Sequence, residues 1–211
     1  RLVDTVTALD ADATVRVIVL TGADPAFCAG MDMRELTAGD TPADLVARDA
    51  PFLVSTTPLI GAVNGPAYTG GLELALSCHL LVASDRATFA DTHARLGLTP
   101  GMGLTVLLPE AVGEQRARQM MLTCAPITAR TALAWGLVTT VVPHDELLAA
   151  RHRQRLRHAG QQHFPVRIAV VVDAPLEAAD EVARDEAVAV HAHEAAAELA
   201  LEPRQRFLEQ V

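Results

Sequence analysis

Glu73 is the residue of this sequence that is best placed for acid–base chemistry. It stands in GGLELAL (residues 70–76), where Gly70 and Gly71 predict the start of a helix. The first N–H groups of such a helix have no acceptor within it and lie at the positive end of its dipole. The apolar neighbours of Glu73 indicate a buried helix, in which a carboxylate needs a partner or a role. The alternative is that the glycines make a tight turn and that Glu73 merely favours the first helical turn.

His93 is the second candidate, in the segment TFADTHARLGL (residues 88–98). If Thr88–His93 is extended, the side chains of Phe89, Asp91 and His93 share one face. An imidazole changes its charge near neutral pH and can therefore serve as a general acid or base. The alternative is a packed histidine with a purely structural role.

Two longer segments carry the elements that would position these side chains. VIVLTGADPAFCAGMD (17–32) and PLIGAVNGPAYTGGLELAL (58–76) each predict a buried strand followed by a glycine-containing turn. In parallel sheets, ligands bind outside the carboxyl ends of the strands. A ligand oxygen could approach the backbone at Gly70 closely, because glycine has no side chain. The pattern therefore favours a binding site at one edge of a sheet.

The remaining sequence alternates between predicted strands and predicted helices. That alternation favours an α/β fold whose core is a sheet of parallel strands. The predicted strands are Val15–Leu20, Leu59–Val63, Leu80–Ala83 and Val138–Val142. The predicted helices are residues 2–9, 42–54, 70–77, 101–112, 114–122 and 128–135, one that opens at Pro143, and most of the tail from about Pro175.

Composition restricts the classes of function. Of the 211 residues, 50% are hydrophobic and 20% are charged, which is enough to bury a core. A net charge of -9 and an aromatic content of 3% disfavour a nucleic-acid partner. No apolar run reaches about 18 residues, so no membrane insertion is predicted. Cys28, Cys78 and Cys124 are far apart, which predicts a reducing compartment, the cytoplasm.

The common cofactor and nucleophile motifs are not found in this sequence. Neither GxGxxG nor GxxxxGK[ST] nor GxSxG occurs. His191 and His193 are two residues apart, so they would not share a helix face and would make a poor metal pair. We therefore expect no metal and no nucleotide or flavin cofactor.

Three segments, in this order, resemble the signatures of the crotonase family, the enoyl-CoA hydratase/isomerase group. The first is VIVLTGADPAFCAGMDMREL (17–36), and the second is AVNGPAYTGGLELALSCHLLVAS (62–84). The third is FADTHARLGLTPGMGLTVLLPEAVG (89–113), continued by ITARTALAWGLVTTVVPHDEL (127–147). The likeness runs from about Val3 to Leu148.

This resemblance implies a β/α superhelical spiral core at residues 1–142, without the family's opening strands. It implies a helical C-terminal trimerisation region at residues 143–211. The implied ligand is an acyl-CoA thioester, with coenzyme A present only as part of the substrate. The implied assembly is a homotrimer or a dimer of trimers.

The resemblance also implies a set of site residues. The backbone N–H groups of Met31 and Gly70 would form an oxyanion hole, and Glu73 would be the first catalytic residue. His93 stands where the family has a second catalytic glutamate. The residues implied in binding the CoA substrate are Ala29, Met31, Asp32, Met33, Arg34, Gly70 and Gly71.

The histidine at position 93 leaves three functions open. The first is hydration of a 2-enoyl-CoA to a 3-hydroxyacyl-CoA, because the Glu73 anion favours the imidazolium and the pair still provides a base and an acid. The second is one-base proton shuttling, as in the isomerisation of an enoyl-CoA. The third is a non-catalytic acyl-CoA binder, in which the role of the second residue is lost at a cost of about 10²–10⁴-fold in rate.

Overall fold

Two sheets, six α-helices and one short 3-10 helix make up the part of the chain that the computed structural model describes, namely residues 2–30, 51–147 and 167–173. The strands are β1 (Val15–Gly22), β2 (Leu59–Val63), β3 (Ala67–Tyr68), β4 (Leu80–Ser84), β5 (Thr88–Ala90), β6 (Ile127–Thr128), β7 (Thr140–Val142) and β8 (Arg167–Asp173). The α-helices are α1 (Leu2–Ala11), α2 (Gly70–Leu76), α3 (Leu104–Val112), α4 (Glu114–Thr123), α5 (Ala129–Trp135) and α6 (His144–Leu147).

The larger sheet has the order β7-β4-β2-β1-β8, and every pair of neighbours is parallel. All five residues of β2 are buried, as expected for a central strand whose two faces are both covered. This confirms the predicted α/β class. The packed interior is built mainly from alanine, valine and leucine side chains, because the sequence has few aromatic residues to offer.

The smaller sheet places the elements of the candidate site next to one another. β3 runs parallel to β5, and β5 is antiparallel to β6. The helix α2 follows β3 after one residue, and β5 leads to a short 3-10 helix, His93–Leu96. The N–H of Thr69, between β3 and α2, donates to the carbonyl of Ala90 at 2.9 Å. The beginnings of the two helices are therefore held side by side.

The helix predicted at residues 42–54 is wrong at its end. Residues 51–54 are not helical, and residues 42–50 lie outside the described residues. Pro51 supplies the physical reason, because proline has no N–H for the helical ladder and disfavours helical conformation in the residue before it.

The strand β8 differs from the helical character predicted for residues 143–211. Residues 167–173 (RIAVVVD) pair in parallel with β1, from Val15 opposite Arg167 to Gly22 opposite Asp173. The run contains four β-branched residues, which suit a strand, and it occupies the sheet edge beside β1. The predicted boundary at residue 142 stays a prediction, and the helical tail after Pro175 lies outside the described residues.

None of the helices in the described ranges is both long and apolar enough to span a bilayer.

Candidate active site

The helix α2 carries Glu73 into the interior. Gly70 is its first residue, and Gly71, Leu72 and Leu74 are buried around the glutamate. The Glu73 side chain itself is 0% exposed. Carboxylates are almost never fully buried unless they are paired or hydrogen-bonded. The partners of the two Glu73 oxygens therefore have to be identified.

The two oxygens of Glu73 have different surroundings. Oε1 accepts a hydrogen bond from the N–H of Met102 at 2.8 Å. Oε2 is buried and has no hydrogen-bond partner among the described residues. Its nearest ionisable neighbour is His93, whose Nε2 lies 3.8 Å away, which is beyond hydrogen-bond distance.

Burial raises the pKa of the Glu73 carboxyl above its usual value. The hydrogen bond from Met102, the charge of His93 and the backbone N–H of Leu104 oppose this rise in pKa without cancelling it. The negative charge of Asp91 adds to it. The glutamate therefore holds a proton more readily than an exposed one, which suits a group that must both take and release protons.

The other side of the His93 ring is bound to Asp91. The Asp91 carboxyl is 1% exposed, and its Oδ1 lies 2.6 Å from His93 Nδ1. The same oxygen accepts a hydrogen bond from the backbone N–H of His93 at 3.0 Å. His93 is 6% exposed. Asp91, His93 and Glu73 thus form a buried row in which the imidazole lies between two carboxyl groups.

The extended segment predicted at Thr88–His93 is wrong beyond Ala90. The strand β5 ends there, and His93 begins the 3-10 helix. Asp91 and His93 still meet, but through a turn: the carboxylate of Asp91 binds the N–H two residues later, as short polar side chains often do. Phe89 is in the hydrophobic core and is not part of the row.

The loop after β1 brings Gly30 against Gly70. The carbonyl of Pro66 accepts hydrogen bonds from Phe27 and Cys28, which tie this loop to the residues before β3. A Cβ placed on Gly30 would lie 3.3 Å from the backbone nitrogen of Gly70. Ala29 is exposed beside it. The implied site residues Met31, Asp32, Met33 and Arg34 lie outside the described residues.

Gly71 has a packing role. A Cβ at this position would lie 1.9 Å from the carbonyl oxygen of Cys28, far inside any permitted contact. The glycine lets α2 approach the loop backbone closely. A contact between Gly71 and coenzyme A stays a prediction.

Thr69 adopts an unusual backbone conformation immediately before Gly70. Its φ is 54°, which is rare for a β-branched residue and costs energy. Its hydroxyl is hydrogen-bonded to that of Thr92, one residue before His93. The turn that begins α2 is therefore tied to the turn that begins the 3-10 helix.

Sequence reasoning singled out Glu73, His93 and Gly70, and the structure brings these neighbourhoods together. The sequence reasoning missed Met102 as the donor to Glu73 and gave Asp91 no role. Asp91 was detectable, since an aspartate two residues before a buried histidine can bind its backbone. The Met102 contact had no signal in the sequence, because the donor is a backbone N–H that lies 29 positions away.

The comparisons with known proteins agree on one family. A family model described as "Enoyl-CoA hydratase/isomerase" matches residues 1–211. A probable peroxisomal enoyl-CoA hydratase 1 of Arabidopsis thaliana is 38% identical over 172 residues, which are 78% of this chain and 64% of that protein.

Two solved structures show the same fold. An enoyl-CoA hydratase from Mycobacterium avium is 50% identical, with a TM-score of 0.64 over 71% of this chain and 63% of that one. A monofunctional enoyl-CoA isomerase from M. smegmatis is 38% identical, with a TM-score of 0.55 over 70% of this chain and 64% of that one. The chain thus spans slightly less than two thirds of the length of these relatives.

Proposed function

Because the chain belongs to the enoyl-CoA hydratase/isomerase family and has the crotonase fold, we propose that it adds water to a 2-enoyl-CoA and forms a 3-hydroxyacyl-CoA. The observation that carries this proposal is the buried Oε2 of Glu73, which has no hydrogen-bond partner in the described part of the chain and lies 3.8 Å from His93 Nε2. A free carboxylate oxygen in an apolar interior is costly. A reacting water held between these two atoms would satisfy it.

In the proposed reaction, Glu73 is the base and His93 is the acid. Oε2 of Glu73 takes a proton from the water as the water oxygen bonds to Cβ. The π electrons of the Cα=Cβ bond shift toward the thioester, whose carbonyl oxygen becomes an enolate oxygen. Nε2 of His93 then gives a proton to Cα, and the carbonyl re-forms. Acid–base catalysis by one positioned group contributes about 10²–10⁴-fold.

The closeness of the two groups supports a direct reset of the site. After one turnover, Glu73 carries the proton taken from water and His93 has lost one. Oε2 and Nε2 are 3.8 Å apart, and a small movement of either side chain brings them within hydrogen-bond distance. The proton can then pass from Glu73 back to His93.

The N–H groups of Met31 and Gly70 are proposed to bind the enolate oxygen. Two observations support the part of Gly70: it begins α2, so its N–H has no acceptor inside the helix, and a Cβ built on Gly30 would lie 3.3 Å from its nitrogen. Losing one such donor would cost about 3–4 kcal/mol in the transition state. The residues proposed to bind the CoA part are Ala29, Met31, Asp32, Met33, Arg34, Gly70 and Gly71.

Cofactor, assembly and compartment are part of the same proposal. The reaction needs no metal, nucleotide or flavin, since protons and a polarised thioester suffice. The family resemblance supports a homotrimer or a dimer of trimers. Three cysteines that lie far apart in the sequence support a reducing compartment such as the cytoplasm.

Isomerisation of a 3-enoyl-CoA to a 2-enoyl-CoA is the second candidate. It is favoured by the same neighbouring proton carriers, Glu73 and His93, because moving a double bond requires only that a proton leave one carbon and reach another. The 38% identity to a solved enoyl-CoA isomerase is consistent with it. A non-catalytic acyl-CoA binder is the third candidate, and the test must distinguish it from a hydratase and from an isomerase.

The test is a substrate panel with saturated, 2-enoyl and 3-enoyl CoA thioesters, followed by absorbance and by product mass. We expect the 2-enoyl substrate to gain the mass of one water. Glu73→Gln should lower turnover by at least about 10²-fold. The matched control is Glu146→Gln, which removes an exposed carboxylate on α6 and should leave turnover unchanged.

Two outcomes would overturn hydration. A product of unchanged mass from the 3-enoyl substrate alone would identify an isomerase. Binding of crotonyl-CoA without any turnover would identify a binder.

A further inference from the structure

We infer that Asp91 is a positioning residue that keeps Nδ1 of His93 protonated and thereby directs Nε2, the reacting nitrogen, at Glu73. The inference rests on the proposed function for its kinetic consequence, but its structural part can be tested without turnover. Asp91 is then the third side chain of the site, beside those of Glu73 and His93.

The contact between Asp91 and the ring determines which nitrogen carries a proton. Oδ1 of Asp91 and Nδ1 of His93 are 2.6 Å apart, and both side chains are almost fully buried. An ionised carboxylate only accepts hydrogen bonds, so Nδ1 must be the donor. In the neutral imidazole the other nitrogen, Nε2, then has a free lone pair.

This arrangement makes Nε2 suitable for exchange with Glu73. When His93 is neutral, its Nε2 lone pair can accept a proton from a protonated Glu73. When His93 is an imidazolium, its Nε2–H can donate to the substrate or to the Glu73 anion. The opposite tautomer would place an N–H at Nε2 and could not receive the returning proton, so the site would not reset.

Asp91 also restricts the position of the ring. The same Oδ1 binds both the backbone N–H and the side chain of His93, so the imidazole is held at two points of one residue. The ring nitrogen on the opposite side, Nε2, consequently lies toward the unpartnered oxygen of Glu73.

The alternative is that Asp91 merely stabilises the turn through the backbone N–H. The two roles differ in what they require at Nδ1. A positioning role requires a proton on that nitrogen, whereas a purely structural role does not. They also differ in kinetics, because a positioning role affects kcat more than KM.

The experiment is ¹⁵N NMR of the histidine rings in the full chain, with the His93 signals assigned by their loss in His93→Gln. We expect a proton on Nδ1 of His93 throughout the pH range in which the chain is folded. In Asp91→Ala no acceptor is left beside Nδ1, so the proton of the neutral ring should no longer be held on that nitrogen. The matched control, Asp145→Ala, removes an exposed carboxylate on α6 and should leave the His93 signals unchanged.

The kinetic arm uses the same variants and the 2-enoyl substrate. We expect Asp91→Ala to lower kcat by about 10²–10⁴-fold; loss of the orienting aspartate in a Ser–His–Asp triad costs about 10⁴-fold. KM should change by less than about threefold, since the substrate is not contacted. Removing the Asp91 charge also removes one cause of the raised pKa of Glu73, so a loss of rate would not reflect protonation of the base.

A bare Nδ1 in the unsubstituted protein would overturn the inference, and that result does not depend on whether the variant folds. A folded Asp91→Ala with an unchanged tautomer or an unchanged kcat would also overturn it. If the tautomer moves as expected but no substrate of the panel reacts, the proposed function fails while the positioning of His93 stands.

Discussion

Glu73 is buried at a cost to the stability of the fold. Because its folded pKa is raised, the folded state binds the proton more tightly than the unfolded chain does. The free energy of unfolding must then fall as the pH rises from the unfolded pKa through the folded one. At neutral pH, above the unfolded pKa, the burial of this carboxyl therefore lowers the free energy of unfolding, and active sites commonly lose stability in this way.

We expect Glu73→Gln to raise the melting temperature at pH 7 while it lowers turnover. The glutamine oxygen can keep the bond from Met102, and its amide can donate to His93. This rise in melting temperature should shrink as the pH falls below about 4, where the wild-type glutamate is protonated in both the folded and the unfolded state. Calorimetry across this pH range checks it, and a lower melting temperature at pH 7 would contradict it.

His93→Ala separates catalysis from packing at the same scale. If His93 is the acid, the rate should fall by about 10²–10⁴-fold, whereas a merely packed histidine would change it less than about tenfold.

His93→Glu would restore a pair of glutamates but would place a carboxylate beside buried Asp91, and like charges in contact are costly. We therefore expect the double variant Asp91→Asn/His93→Glu to hydrate faster than His93→Glu alone, measured by steady-state turnover; the reverse order would contradict this.

At the scale of elements, the approach of α2 to the loop after β1 depends on Gly71. Gly71→Ala would force a methyl group into the carbonyl of Cys28, which would lie 1.9 Å away. We expect a loss of about 3 kcal/mol or more in the free energy of unfolding. Gly97→Ala is the control: no atom lies within 4 Å of the new methyl there, and only its φ of +69° opposes it, at about 1–2 kcal/mol. Urea denaturation of both variants gives the comparison, and equal losses would contradict it.

The end of α1 is tied to the segment before β2 by Asp10. Its carboxylate accepts hydrogen bonds from Ser55 and from the backbone N–H groups of Thr56 and Thr57. These bonds, with that of Thr57 the strongest, hold the pKa of Asp10 well below its usual range.

We therefore expect Asp10→Asn to destabilise the protein at pH 7 by about 1–2 kcal/mol, since it weakens hydrogen bonds to a charged acceptor. Because the folded pKa is lowered, this stabilisation is present above the unfolded pKa and is lost as the pH falls through the folded one. The difference from the wild type should shrink below about pH 4. Thermal unfolding at several pH values measures it, and a difference that is constant with pH would contradict it.

At the scale of the whole molecule, the described surface retains apolar side chains that a monomer leaves in water. Leu122 on α4 is 78% exposed and Val106 on α3 is 58% exposed. Burial of these side chains between subunits would favour the assembly proposed above, a trimer or a dimer of trimers. We expect sedimentation velocity at micromolar concentration to show that assembly, and a monomer at this concentration would contradict it.

The amino-acid sequence by itself determined many of the local elements and the burial of Glu73. Strand propensity and turn conformation are local properties. The β-branched runs therefore predicted β1 and β2, and the glycines before Glu73 predicted the start of its helix. The apolar neighbours of Glu73 were enough to show that its carboxylate would be buried. The sequence signatures around it were enough to indicate the family.

Only the tertiary structure decided which distant groups meet. β8 pairs with a strand about 150 positions earlier in the chain, and the N–H that binds Glu73 comes from the loop before α3. Such contacts depend on how segments pack, and a backbone donor leaves no mark in residue type. Asp91 and His93 were expected to share the face of a strand, but the turn after β5 joins them, because a carboxylate that binds a nearby N–H can end extended structure. The row of Asp91, His93 and Glu73 therefore emerges only when these turns and α2 are packed together in the interior.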